Sequence, residues 1–157
     1  MSEPGPVVVA PVAGTVVGLS GVPDDVFREE MVGSGTAVEP PADAGRAAVL
    51  APVAGTLVTL HPHAFVVATD GGAGILVHVG IDTVERKGEG FELHVARGDV
   101  VEQGAPVLTV DLASVRAAGL ATTCPVVVLD SPPGSVRTPT GHDVDAGSEL
   151  FRRPPPA

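Results

Sequence analysis

The sequence predicts an all-β protein, a sandwich or barrel with little helix, and three observations predict it. Short β-branched runs recur along the chain, each bounded by Gly, Pro or Asp. The 20 glycines and 16 prolines fall between those runs, so they mark turns and not a low-complexity tract. A six-residue stretch also occurs twice, which points to a duplicated unit.

The elements follow in order. Val7–Ala10 and Thr15–Leu19 read as strands on either side of a Pro-Val-Ala-Gly turn. Pro23–Glu30 has room for one helical turn, and Glu29-Glu30 reads as a solvated acidic pair. Ala47–Leu50 and Thr56–Leu60 repeat the first strand pair: Ala10-Pro11-Val12-Ala13-Gly14-Thr15 recurs as Ala51-Pro52-Val53-Ala54-Gly55-Thr56, an offset of 41 residues. Phe65–Ala68, Ile75–Val79, Phe91–Val95, Val107–Val110 and Val126–Leu129 are further strands. A weaker echo, Val101-x-x-Gly104-x-x-Val107 against Val144-x-x-Gly147-x-x-Leu150, has an offset of 43 residues. Asp111–Ala118 reads as a short helix, capped by Asp111 and ended by Gly119.

At 157 residues and 44% apolar composition, the chain can bury a core of common domain size. Aromatics are only 3%, so that core is built from Val, Ala, Leu and Ile. Residues 1–6 read as a flexible tail, 7–151 as a single domain, and 152–157 as a proline-rich end that cannot continue a ladder.

The net charge of −10 argues against nucleic acid as a partner, because phosphate contacts need clustered Lys and Arg. The N-terminus has no basic, apolar leader, and no stretch is long enough to span a bilayer. A cytoplasmic protein with no direct membrane insertion is expected. The single cysteine, Cys124, excludes a disulfide framework and a cysteine zinc cluster, and its Pro-Val surroundings suggest a buried small residue.

The chemistry lies in the histidines. His94 and His142 read as surface residues. His78 sits inside an apolar run from Gly74 to Val84, and in an ideal strand it shares a face with Leu76 and Gly80. His63 starts another strand, just after His61 and Pro62. Two imidazoles on adjacent strands can meet, one as nucleophile and one as hydrogen-bond partner, an arrangement suited to phosphoryl transfer. Asp82 is placed to orient a ring or to meet a basic partner. A satisfied histidine in an apolar strand is the bland reading of the same residues.

Val77-His78-Val79-Gly80-Ile81-Asp82-Thr83-Val84, followed by Lys87-Gly88-Glu89-Gly90-Phe91, resembles the active-site signature of glucose-family enzyme IIA domains. These belong to the bacterial phosphoenolpyruvate-dependent sugar phosphotransferase system. The resemblance extends from about Val7 to Leu150, through Val22–Phe27, Met31–Gly35 and His63-Ala64-Phe65. It implies an antiparallel β-sandwich of duplicated units. It implies that His78 accepts a phosphoryl group on its outer ring nitrogen (Nε2) from the phosphocarrier HPr. His78 then passes the group to a cysteine of the IIB domain of a sugar permease, of the glucose or N-acetylglucosamine class. His63 matches the supporting histidine. Val26, Phe27, Met31, Val32, Leu76 and Val84 form the implied docking surface, with Asp24 and Asp82 as its acidic rim. No cofactor and no metal are implied, while a regulatory role through transporters or metabolic enzymes is compatible. The family commonly has Thr-Asn before the supporting histidine, where this chain has His61-Pro62. Ring orientation must then come from elsewhere, with His61 as one source.

Two rival readings use the same residues. His61, His63, His78 and Asp82 have spacings that suit a zinc ion in a peptidase-like β protein. Gly98–Gly104 is similar to biotinyl or lipoyl carrier modules, although the one lysine, Lys87, lies outside the usual modification turn.

Overall fold

The computed structural model describes residues 7–153, so the expectations for residues 1–6 and 154–157 lie outside the described residues. In chain order the strands begin β1 (Val7–Val9), β2 (Gly14–Val16), β3 (Gly33–Glu39), β4 (Arg46–Leu50), β5 (Gly55–His61), β6 (Ala64–Ala68) and β7 (Gly74–His78). They continue β8 (Phe91–Leu93), β9 (Val100–Val101), β10 (Pro106–Asp111), β11 (Cys124–Leu129), β12 (Asp143–Val144) and β13 (Glu149–Arg152). The helices are α1 (Asp25–Arg28) and α2 (Leu112–Ala117), with single 3₁₀ turns at Leu19–Gly21 and Thr83–Arg86.

The strands form an eight-stranded sheet, β12-β2-β3-β11-β7-β6-β5-β9, with a three-stranded sheet, β4-β10-β8, and the pair β1-β13. Every pairing is antiparallel. The all-β, β-sandwich expectation therefore holds, with the large sheet curled around the core.

The order of the large sheet reads alike from both ends: β12, β2, β3 and β11 correspond to β9, β5, β6 and β7. The six-residue repeat is the cause. Val9 N–H donates to the Pro52 carbonyl at 3.0 Å, and Leu50 N–H donates to the Pro11 carbonyl at 2.9 Å. Gly147 N–H bonds the Ala10 carbonyl at 2.8 Å, and Gly104 N–H bonds the Ala51 carbonyl at 2.9 Å. Gly14 and Gly55 are both pressed on a neighbouring strand, where a Cβ would lie 2.2 Å from the Glu39 oxygen and 2.1 Å from the Ala68 oxygen. The weaker repeat supplies β9 and β12, which pair with β5 and β2 at equivalent positions.

The main core holds Val8, Val38, Leu57, Phe65, Ile75, Val77, Val126, Leu150 and their neighbours from all three sheets. Phe65 supplies the largest fully buried side chain, and valine most of the others, as the composition requires. A second, smaller core lies on the outer face of the large sheet. There the segment carrying the first 3₁₀ turn and α1 folds back and covers Ala37 and Val127 with Leu19, Val22 and Phe27. This satellite core positions the site.

Both short helices form where expected. Asp24 caps α1, and Asp111 caps α2 by accepting from Ser114 N–H at 3.2 Å. Gly119 follows α2 at φ 81°. β3 was not anticipated, because Gly-Ser-Gly-Thr is a poor strand sequence by propensity. Close packing reverses that preference: a Cβ at Gly33 or Gly35 would come within 2.1 or 2.0 Å of carbonyl oxygens on β11. β13 reaches Arg152, which pairs with Val7, so the last strand runs one residue past the predicted boundary. Glu30 is not simply solvated. It takes φ 54°, and its carboxylate accepts from Ser34 Oγ at 3.0 Å and Gly134 N–H at 2.7 Å.

Candidate active site

His78 is the last residue of β7. Alternation along that strand puts Ile75 and Val77 in the core and sends Leu76 and His78 to the outer face. β6 pairs with β7 so that Ala64 lies opposite His78. The turn joining β5 to β6 therefore delivers His63 beside it, and Val79 N–H donates to the His63 carbonyl at 2.7 Å. The two imidazoles meet edge to face, with centroids 5.4 Å apart and planes at 68°. His61, at the end of β5, stacks on His63 at 5.6 Å and 20°. Phe27 closes another side of His78, at 5.3 Å and 61°.

A hydrogen bond decides which nitrogen of His78 carries the proton. Nδ1 lies 2.5 Å from the Gly80 carbonyl oxygen. A carbonyl can only accept, so Nδ1 carries the proton and Nε2 keeps its lone pair. Burial lowers the His78 pKa below the ordinary value of 6.5, against the raising effects of the Gly80 bond, Asp24 and Asp82. The His63 pKa is also lowered, first by burial and then by repulsion from His78 and His61. Both rings are thus neutral at neutral pH, which leaves His78 nucleophilic at Nε2.

Gly80 makes this geometry possible. It takes φ 77°, which turns the chain out of β7 and returns its carbonyl to the ring two residues earlier. Behind it sits Thr83, 1% exposed, whose hydroxyl donates to the Val79 carbonyl at 2.7 Å. Gly80 and Thr83 lie inside the signature run, but the sequence assigns neither a role of its own. The available signal was the glycine two positions after a histidine, where a strand would otherwise continue.

The structure brings the other expected residues to the same face, in different roles. Asp24 caps α1, accepting from Val26 N–H at 2.9 Å and Phe27 N–H at 3.4 Å, and acts on His78 through charge. Asp82 is exposed at φ 60° and also acts through charge. The ring-orienting partner is the Gly80 carbonyl and not Asp82, because the Gly80 turn brings a main-chain acceptor directly to Nδ1. Val26, Met31 and Val84 are 42%, 67% and 59% exposed, an apolar rim around the histidines. Val32 and Leu76 are half-buried against the satellite core. Phe27 is buried, so it serves as a wall of the site and not as open docking surface.

Cys124 is fully buried, and desolvation pushes its thiol up to about 12. His142 is exposed, and exposed His94 meets Thr109 Oγ1 at 2.6 Å. Among the described residues, no three His, Cys, Asp or Glu side chains come together as a metal site, so His61, His63, His78 and Asp82 do not form one ligand set. No helix of the described residues is long and apolar enough to cross a membrane.

The family described as "phosphoenolpyruvate-dependent sugar phosphotransferase system, EIIA 1" matches residues 6–132. The chain belongs to that family.

A glucose-specific EIIA component of Halalkalibacterium halodurans is 42% identical over 123 residues, covering 77% of this chain and 69% of the relative. A glucosamine-specific EIICBA component of Bacillus subtilis is 42% identical over 121 residues, covering 76% of this chain but 18% of that longer protein. The glucose permease IIA of Mycoplasma capricolum superposes with a TM-score of 0.79 at 35% identity, covering 92% of this chain and 93% of the other. As an EIIA protein, this chain is a component of a sugar phosphotransferase system, and the paired histidines, the Gly80 turn and the apolar rim lie within the matched region.

Proposed function

We propose that residues 7–151 form one EIIA domain that carries a phosphoryl group on His78, from phospho-HPr to the IIB cysteine of a sugar permease, in the cytoplasm. The observation that carries this reading is the Nδ1–H bond from His78 to the Gly80 carbonyl, which leaves Nε2 as the free nucleophile. The Nε2 lone pair attacks the phosphorus of the donor phosphohistidine. An N–P bond forms on His78 as the donor's N–P bond breaks, and the donor imidazole leaves with its electron pair. The Gly80 carbonyl, still bonded to Nδ1–H, offsets the positive charge that develops on the phosphorylated ring. In the second step a thiolate attacks the phosphorus and His78 leaves, restored to its starting tautomer. His63 donates to the transferring oxygens and lowers the cost of their charge.

The rim of Val26, Met31 and Val84 excludes water from the phosphoryl group when a partner docks. Asp24 and Asp82 attract the partner's basic residues and speed encounter. The relatives are named for glucose in one case and glucosamine in another at equal identity, which supports a sugar of the glucose class chosen by the permease.

The test is intact mass after incubation with phosphoenolpyruvate, enzyme I and HPr. The wild-type chain should gain one acid-labile phosphoryl group, and His78→Gln should gain none. Uptake by the variant would refute the assignment of His78, and no uptake by the wild-type chain would refute the carrier reading.

A further inference from the structure

The Gly80 carbonyl sets the His78 tautomer, yet glycine is the residue least able to hold its own conformation. Its orientation must be imposed by its neighbours, and four contacts impose it. Val79, just before it, is tied at both ends: its N–H donates to the His63 carbonyl at 2.7 Å, and its carbonyl accepts from Thr83 Oγ1 at 2.7 Å. Ile81, just after it, donates to the Ala121 carbonyl at 3.0 Å. Gly80 itself lies on the Thr83 methyl, where a Cβ would come within 2.7 Å of Cγ2. The Gly80 oxygen is left to receive the ring.

Thr83 is the one side chain in this set that both bonds the backbone and fills the space beside Gly80. A threonine at the start of a helical turn usually caps it. Here the hydroxyl points back four residues to Val79, inside the protein, and the turn at Thr83–Arg86 has no side-chain cap.

We propose that Thr83 is a positioning residue for the phosphoacceptor: its hydroxyl on Val79 and its methyl against Gly80 aim the carbonyl that keeps the proton on Nδ1. The inference rests on the proposed role of His78. Thr83 touches neither the ring nor the phosphoryl group, and acts through Gly80.

The experiment compares Thr83→Val, which loses the hydroxyl at nearly constant shape, with Thr83→Ser, which keeps it. The first readout is the pair of ring ¹⁵N shifts of His78 in the unphosphorylated full chain. The second is the initial rate of phosphoryl uptake from phospho-HPr. Thr83→Val should show a mixture of His78 tautomers and a rate lowered about tenfold. Thr83→Ser should keep the Nδ1–H form and recover most of the rate. If Thr83→Val does not fold, Thr83→Ala is read in its place, since it also lacks the hydroxyl. A hydroxyl-free variant with the wild-type tautomer and rate would overturn the proposal, as would Thr83→Ser being equally impaired. Failure of the wild-type chain to take up phosphate would refute the role of His78 itself, and the ring shifts would report on Thr83 regardless.

Discussion

The two repeat hairpins start alike and end differently. β2 and β5 leave equivalent glycines, Gly14 and Gly55, each pressed on the next strand of its hairpin. The β5–β6 connection then closes at once, with His61 opposite Ala64 and only Pro62 and His63 between them. The β2–β3 connection instead runs from Val17 to Val32 and folds a 3₁₀ turn and α1 over the outer face of the sheet. The tight hairpin holds a histidine at the sheet surface, and the long excursion supplies Asp24 and Phe27. His78 lies between them, on one of the two central strands of the sheet. The scaffold is duplicated, but the site is assembled from two connections that have diverged.

Substitutions in and around the two connections should act in decreasing order of effect. Gly80→Ala should be the most damaging change that leaves His78 in place. The new Cβ would meet Thr83 at 2.7 Å and the Ala121 oxygen at 2.9 Å, at a φ of 77° that alanine resists. We expect about 1–3 kcal/mol of lost stability in denaturant unfolding and a slower uptake of phosphate.

His63→Gln tests the tight hairpin. It should still accept phosphate on His78 but deliver it to IIB about 100-fold more slowly, as measured by single-turnover transfer. Equal delivery would remove His63 from the reaction.

Asp24→Ala tests the long excursion. Loss of the α1 cap should cost about 1 kcal/mol in unfolding measurements. It also removes a charge that raises the His78 pKa, so an NMR titration should find that pKa lower still.

The pH dependence has a definite sign. Because folding lowers the His78 and His63 pKa values, both rings bind fewer protons folded than unfolded. Phosphate uptake should therefore persist below pH 6.5, the ordinary histidine value, and fall only at the lowered His78 pKa. Stability should be full above 6.5 and decline as pH drops through the lowered values. Uptake that halves at 6.5 would contradict this. His61→Ala should have the smallest effect, since the ring is exposed and touches His63 only by stacking.

Much of this was legible in the residues. The repeated Ala-Pro-Val-Ala-Gly-Thr fixed the duplicated architecture because its prolines and glycines have one local solution. Asp24, Asp111 and Gly119 marked the helix ends through capping chemistry. His78 and His63 were found through their apolar setting and the motif around them. β3 was missed because its glycines serve a close approach to β11, which appears only in three dimensions. The inward face of Phe27 is not legible in the residues, because one helical turn has no periodicity to show which side is buried. The role of Gly80 was hidden for a related reason: its contribution is a carbonyl, and backbone groups leave no signature of their own in a sequence.

The most direct test is ¹⁵N–³¹P NMR of the chain phosphorylated through HPr. Coupling of phosphorus to Nε2 of His78, with Nδ1 still protonated, is the predicted result. Phosphorus on Nδ1, or on any other residue, would contradict Nε2 of His78 as the phosphoacceptor.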